Sequence, residues 1–529
     1  MSLSLNAFLP LLLRHILNEK AEKSLEGTIF SYHGTCLFAD VSGFTALSEK
    51  LASMGKEGSE ELTNILNEFY GAMVDEILTW DGDIIKFAGD AMTVFFPDPD
   101  GLARARNCAV RMQQKMGIFA NRQSPVGPFN LQMKIGLAHG PCIGSIVGDT
   151  EKADFLFAGN NVDEAADAEH HAQAGDIIFF DGQAYHKIVS EVPADHYPTP
   201  PQLTLEDRYL QRFLPQDLID TLNMEGLSFA NEHRRAVILF VSFEQTGHAP
   251  SYKDVSWLQK FYQICLGITR EYDGYMNKID MGDKGAKIII LFGAPIAHED
   301  DPDRAIKAAL ELRQSALEEG ITTRIGANYA SIFAGIVGST KRCEYTVMGD
   351  GVNLAARLMA AAQPNGILCH AAVRHNTKLS FSWHDLPPIK VKGKSEPQHI
   401  VEVTGQSEAT FSTAQSFRFC NRQQEIASIR EFFTTQENSG LSALTVTGPQ
   451  GIGKTALMAT LFGQFSQAGL FIGTAHDYTR NTPYFAWKQI LKDLIEKYEN
   501  FQTSVPATIN AIIQQNTPQL LPYCSLLGD

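Results

Sequence analysis

Residues 134–168 read KIGLAHGPCIGSIVGDTEKADFLFAGNNVDEAADA, and residues 324–358 read RIGANYASIFAGIVGSTKRCEYTVMGDGVNLAARL. The two stretches align without a gap, 190 residues apart. They match Ile135 with Ile325, Gly136 with Gly326, Ile146 with Ile336, Val147 with Val337, Gly148 with Gly338, Thr150 with Thr340, Gly159 with Gly349 and Val162 with Val352. A period that long marks a duplicated domain rather than a solenoid unit. Two like domains in one chain can dock as a pseudo-symmetric pair around a shared cleft.

The order of elements around the repeat sets the fold class. In the first copy, the apolar run CLFAD (36–40) reads as a buried strand and EELTNILNEFYGAMVDEIL (60–78) has helical periodicity. DIIKF (83–87) and AMTVFF (91–96) read as strands joined by a turn at Ala88–Gly89–Asp90, and GLARARNCAVRMQQKM (101–116) reads as a second helix. The second copy repeats the order with AVILFVSF, a helix around 254–272, KIIILFG, a helix at 303–318 and TRIGANYA. Strand–helix–hairpin–helix–strand predicts an α+β fold, helices on a mainly antiparallel sheet. The Pro-rich PADHYPTPP (193–201) and the Ser/Thr/Gln-rich GQSEATFSTAQS (405–416) mark connectors. The expected organisation is an N-terminal helical segment (1–29), domain one (30–190), a linker (191–231), domain two (232–405), a linker (406–417) and a third domain (418–529).

Composition narrows the function. The 529 residues carry 44 Lys and Arg against 60 Asp and Glu, a formal charge of −16, which suits no general polyanion binder and argues against a nucleic-acid partner. Eight dispersed cysteines form no CxxC pair, as in a reducing compartment. SLNAFLPLLLRHIL near the start has no basic leader and is interrupted by Pro10. It is expected to pack on the domain pair rather than act as a signal peptide, and no apolar run is long enough for a membrane span. A cytoplasmic protein is expected. His170–His171 is read as a solvated helix end, not a metal site.

Two carboxylates carry chemistry in the first copy. Asp40 ends a strand in FADVSGFT, and Asp90 sits in the hairpin turn KFAGDAM. Neighbouring carboxylates repel, and a hard divalent cation with oxygen ligands relieves that repulsion. Asp beside Gly is also a common turn-former, so composition alone leaves both readings open. The loop Val41–Ser42–Gly43–Phe44–Thr45 offers backbone N–H groups to a polyphosphate. In the second copy, Asn353 and Arg357 stand at i and i+4, one face of a helix turn, and Arg forks onto phosphate oxygens. The first copy has Asp163 and Asp167 at those places, and Ser242 replaces Asp40 in the second. The copies are therefore complementary, one keeping the carboxylates and the other the amide and guanidinium.

The motifs FADVSGFT, IIKFAGDA, GIVGSTKRCEYTVMGDGVNLAAR and VKGK together resemble the tandem catalytic domains of class III nucleotidyl cyclases, most closely the soluble, bicarbonate-responsive adenylyl cyclase family. That resemblance implies two ferredoxin-like domains paired head to tail, with one working site completed within one chain. It implies that Asp40 and Asp90, with the Val41 backbone, hold two Mg²⁺ ions, Mn²⁺ being an alternative. Asn353 would orient the ribose of ATP, Arg357 would offset charge on the α-phosphate, and Lys392 would contact the polyphosphate. Lys278 and Thr346 would read adenine, where guanylyl cyclases carry a Glu and a Cys. The product would be cyclic AMP. Lys86 matches the family's anion-site Lys and Met281 a neighbouring pocket residue, but the anion-site Arg falls at Ala166, which leaves bicarbonate regulation open.

GPQGIGKT (448–455) follows a strand and precedes a helix, the context a phosphate loop requires. Gly448, Gly451 and Gly453 would bring backbone N–H groups to phosphates, Lys454 would reach the β/γ-phosphates and Thr455 would hold Mg²⁺. No later apolar strand ends in an acidic residue, so this α/β P-loop NTPase domain is expected to be incomplete. Against the enzyme reading stand a non-enzymatic nucleotide or anion sensor that regulates the P-loop module, and a P-loop ATPase that the paired domains merely scaffold.

Overall fold

Fourteen register pairs, from Ile29↔Ser145 to Ser42↔Gln132, join the two longest strands of the first half, and the corresponding pair in the second half runs from Glu232↔Ala334 to Gln245↔Ile321. The computed structural model describes residues 4–19, 25–44, 56–88, 91–189, 203–215, 232–245, 255–282, 285–391, 396–406 and 422–434, with short stretches and single positions elsewhere. Helix α1 (Leu11–Glu19) precedes β1 (Ile29–Ser42), α2 (Lys56–Thr79), β2 (Asp83–Ala88), β3 (Ala91–Pro97) and α3 (Gly101–Lys115). A small hairpin of β4 (Arg122–Ser124) and β5 (Gly127–Phe129) leads to β6 (Gln132–Gly148), β7 (Ala153–Ala158), α4 (Asn160–His170), β8 (Ile177–Phe180) and β9 (Tyr185–Lys187). After the short helix α5 (Asp207–Leu210), the second half comprises β10 (Glu232–Gln245), α6 (Ser256–Glu271), β11 (Tyr275–Gly282), β12 (Gly285–Phe292), α7 (Asp301–Glu318), β13 (Ile321–Gly338) and β14 (Cys343–Met348). It closes with α8 (Asp350–Ala361), β15 (Ile367–His370), α9 (Ala371–Asn376), β16 (Phe381–Asp385) and β17 (Ile400–Gln406).

The sheets run β2-β3-β1-β6-β8-β9, with β7 on β6, and β11-β12-β10-β13-β15-β17-β16, with β14 on β13. Only β6/β8 and β13/β15 are parallel among these pairs, so the expected α+β class, helices on mainly antiparallel sheets, describes both halves. The strands read as CLFAD and AVILFVSF extend well beyond those runs, because pairing continues past the apolar core into half-exposed positions.

The repeated IVG motif explains itself in packing. Gly148 and Gly338 have φ of +126° and +124°, and a Cβ there would lie 2.2 Å from Lys152 O and 2.3 Å from Arg342 O. Glycine alone closes the turns that fold β7 onto β6 and β14 onto β13. Each preceding valine then enters the other half's core. Val147 is buried with Leu239, Leu258 and Tyr262, and Val337 with Leu37, Phe69 and Val74. The halves thus interlock reciprocally.

The N-terminal segment packs on this pair, as the sequence suggests. The backbone N–H groups of Leu11 and Leu12, at the start of α1, donate to Asp83 Oδ1 (2.9 Å) and Oδ2 (2.7 Å). In the second half, Arg342 Nη1 donates to Phe8 O at 3.1 Å. Leu13, Ile16 and Leu17 are buried. No helix among the described residues is long and apolar enough to cross a membrane.

Residues 1–406 form one unit and 407–529 another. In the second, α10 (Gln423–Thr434) buries Ile429 against Leu457, with Ile426 and Val446 beside them.

The matched glycines of β6 and β13 set helix depth. A Cβ on Gly326 would sit 2.2 Å from both Ala355 O and Met359 N, and one on Gly136 would sit 2.0 Å from Ala165 O. Because the obstructing atoms are backbone, Gly326→Ala must push α8 off the sheet. It should cost about 1–3 kcal/mol, read as a lower urea midpoint for the first unit. An unchanged midpoint would contradict this packing.

Candidate active site

The register of β1 positions the first carboxylate. Asp40 pairs with Ala91 on one side and Lys134 on the other. Asp90 lies outside the described residues, but Ala91, its chain neighbour, is thus Asp40's register partner. In the second half Ser242 pairs with Lys287 and Arg324, so a lysine stands where Ala91 stands in the first.

Both edge strands carry a bulge at equivalent places. The β2/β3 register shifts between Ile84 and Lys86, and the β11/β12 register shifts between Met276 and Lys278. A bulge re-aims the side chains beside it. Here each lysine crosses between the halves: Lys278 Nζ donates to Phe87 O at 2.6 Å, and Lys86 Nζ donates to Ile279 O. Each acceptor follows the opposite lysine by one residue, the reciprocity expected of a two-fold contact.

Between the halves lies a cleft of about 340 Å³ whose wall includes Asp40, Lys278, Thr346 and Asn353. Four residues singled out in the sequence, from β1, β11, β14 and α8, therefore share one cavity. Arg357 lies one turn beyond Asn353 on α8, and its Nη1 is buried with no hydrogen-bond partner among the described residues. Thr346 is buried on β14 opposite Gly335. Burial pushes the Lys278 ammonium pKa down, and Glu344, 3.6 Å away, works against that shift.

The loop after Asp40 divides its side chains. Val41 is buried in the core, Ser42 and Gly43 are exposed, and Phe44 is buried with its ring 5.2 Å from that of Phe69. Any contact from Val41 or Phe44 to a ligand must therefore come from backbone atoms. Thr45, Lys392, Gly448, Gly451, Gly453 and Thr455 lie outside the described residues, as does Asp283; Lys454 is half-buried.

Lys86, Met281 and Ala166 line the same cleft, with residues that the sequence reading missed: Lys134, Glu169, Asp280 and Lys287. His170, read there as a solvated helix end, also reaches this wall, beside Glu169 at 3.8 Å. Lys134 Nζ pairs with Glu169 at 2.7 Å, and Lys287 Nζ with Asp280 at 3.0 Å. Burial pushes the Asp280 carboxyl up, and Lys287 and Lys86 outweigh it, holding the group below the usual carboxylate range. Lys287 could have been found by carrying the repeat alignment into the hairpin, where it aligns with Ala91.

Residues 32–184 and 244–403, more than half of the chain, match the adenylate and guanylate cyclase catalytic domain. The chain belongs to this family. Residues 418–518 match the AAA ATPase domain, so two cyclase catalytic domains precede a P-loop module. The cyclase pair is similar to Adenylate cyclase type 10 of Homo sapiens, 26% identical over 452 residues, which cover 74% of this chain and 28% of that protein. The Mus musculus protein of the same name is 26% identical over 496 residues, 81% of this chain and 30% of the relative. The chain thus spans less than a third of the length of these relatives. Among solved structures, a class III adenylyl cyclase-like ATP-binding protein from Pseudomonas aeruginosa aligns with 68% of this chain and 88% of its own, at 14% identity and a TM-score of 0.47. The adenylyl cyclase CyaB from P. aeruginosa aligns with 34% of this chain and 97% of its own, at 21% identity and a TM-score of 0.31.

The Lys287–Asp280 pair makes its own prediction. Lys287→Met leaves the Asp280 carboxylate short of a partner in a largely buried place. That should cost about 2 kcal/mol or more at neutral pH, read by urea unfolding. Adding Asp280→Asn should recover most of the loss; a double variant as unstable as the single one would refute the pairing.

Proposed function

We propose that the chain is an adenylyl cyclase, forming cyclic AMP and pyrophosphate from ATP. The observation that carries this reading is the single cleft walled by Asp40 from the first half and by Lys278, Thr346 and Asn353 from the second. A scaffold has no physical use for that set.

The donor chemistry fits divalent cations. The half-buried Asp40 carboxylate offers hard oxygen ligands, and Asp90 would supply a second carboxylate from the hairpin beside its register partner. When bound, two Mg²⁺ or Mn²⁺ ions would lower the pKa of the ATP 3′-hydroxyl and offset the charge of the in-line transition state. Asn353 would hydrogen-bond the ribose and hold the hydroxyl in line with the α-phosphate. Arg357 Nη1, which has no partner among the described residues, would donate to the α-phosphate oxygen as charge grows there. Lys278 Nζ, with three donors and an interdomain carbonyl taking one, would give another to a ring nitrogen of adenine. The Thr346 hydroxyl would accept from the adenine amino group. Lys392 would meet the polyphosphate.

In the same cleft, Lys86 and Met281 occupy the places that the family resemblance gives to anion binding, with Ala166 where a second cation would stand. Because Asp280 already draws on both Lys86 and Lys287, we infer a weak response to bicarbonate. The six described cysteines are free and buried, which supports a reducing, cytoplasmic setting. In the P-loop module Lys454 would meet nucleotide phosphates.

The test is synthesis of cyclic AMP by the purified chain from ATP and Mg²⁺, with and without bicarbonate. Asp90→Ala should abolish it. Arg357→Ala should lower kcat about 100-fold with little change in KM, as for an interaction made mainly in the transition state. Tight ATP binding without cyclic AMP would favour the sensor reading instead.

A further inference from the structure

On the first sheet, at the far end of β1 from Asp40, three metal-ligating side chains converge from separate segments. They are His33 on β1, Asp98 just after β3 and His139 on β6, and each offers one ligand atom within 4.8 Å of the others. His33 Nδ1 is 2.7 Å from Asp98 Oδ2, His139 Nε2 is 3.8 Å from the same oxygen, and the two rings are 4.9 Å apart. We propose that His33, Asp98 and His139 hold a divalent transition-metal cation of the Zn²⁺ type, at a site separate from the nucleotide cleft.

The donor set argues for that class of ion. Two imidazoles and a carboxylate suit borderline cations, whereas Mg²⁺ and Ca²⁺ favour oxygen alone. Ligand atoms about 2.0–2.2 Å from a tetrahedral ion stand roughly 3.3–3.6 Å from one another. The two measured separations, 2.7 and 3.8 Å, bracket that range, so small side-chain rotations would complete the geometry.

The surroundings brace the ligands as metal sites do. His139 Nδ1 is 2.9 Å from Thr35 Oγ1. With a cation at Nε2, Nδ1 carries the proton and donates to that hydroxyl, which fixes the ring's orientation. The buried Asn161 donates from Nδ2 to Gly34 O (3.3 Å) and Gly140 O (3.0 Å), the chain neighbours of His33 and His139. It thereby pins the place where β1 and β6 bring the histidines together. Side-chain exposures of 57%, 38% and 30% leave the group open to solvent, so a water would fill the remaining position and the ion would exchange.

The fold itself does not require this group. In the second half, Arg235 and Tyr329 stand at the register positions of His33 and His139, and Ala294 precedes Pro295 as Asp98 precedes Pro99. Asp40 lies seven residue steps along β1 from His33, about 23 Å on an extended strand. The ion would therefore tie β1, β6 and the segment after β3 together without entering the cleft.

The experiment is Zn²⁺ content and thermal stability of the full chain, stripped with chelator and then dialysed against Zn²⁺. The wild-type chain should hold one equivalent more than His33→Gln or Asp98→Asn, both changes at exposed positions, with folding checked by circular dichroism. Zn²⁺ should raise the wild-type Tm by more than it raises theirs. In the Asp40→Asn background, His33→Gln should still remove one equivalent, which separates this site from any ion bound in the cleft. Equal Zn²⁺ content in the wild-type chain and both folded variants would overturn the proposal, leaving a hydrogen-bonded surface cluster. Equal content in Asp40→Asn and the folded Asp40→Asn/His33→Gln chain would overturn it too.

Discussion

Lys86 and Lys278 each cross from an edge strand of one half to a main-chain carbonyl of the other, and the architecture of the cleft depends on this exchange. A buried ammonium must find acceptors, because desolvation disfavours its charge. Here each finds a carbonyl across the pair, and Lys278 also lies 3.6 Å from Glu344 of its own half. The bulges that aim the lysines, the arms that carry Val147 and Val337 into opposite cores, and Arg342, bonded to Ile84 O and Ile85 O, all operate with the halves in this single relation. That relation sets the end of β1 in one half against α8 of the other.

Symmetry then makes the differences meaningful. The same operation that presents Asp40 to Asn353 presents Ser242 to Asp163 at the equivalent place. The Asp163 and Asp167 carboxylates would repel a polyphosphate. The second half instead carries Lys287 in register with Ser242, matched internally by Asp280. Arg357 on α8 has a buried guanidinium nitrogen with no partner among the described residues, whereas Lys134 and Lys287 in the cleft wall are paired with Glu169 and Asp280. A phosphate-bearing ligand would satisfy the former, whereas at the latter it would compete with bonds already made.

Much of this was legible in the sequence because the repeat is ungapped where it matters. Aligning 134–168 with 324–358 sets Asp163 and Asp167 against Asn353 and Arg357, matching FADVS with FVSFE sets Asp40 against Ser242, and the apolar runs give the order of elements along the chain. The rest depends on non-local register. Nothing in the spacing says that Lys278 would sit 3.6 Å from Glu344, or that Val41 and Phe44 would turn into the core while Ser42 stays exposed. His33, Asp98 and His139 are scattered over three segments, and only the pairing of β1 with β3 and β6 assembles them. Bulges likewise leave no residue signature in IIKFAGDA or MNKIDMGD.

The central claim is that a single chain completes a single working site from unlike halves. Mixing equal amounts of an Asp40→Asn chain and an Arg357→Ala chain, and assaying cyclic AMP, tests it most directly. If each site is built within one chain, the mixture should make no more cyclic AMP than the two variants do separately, while the wild-type chain turns over. Recovery of a substantial fraction of wild-type activity on mixing would mean that sites assemble between chains, and would contradict the account.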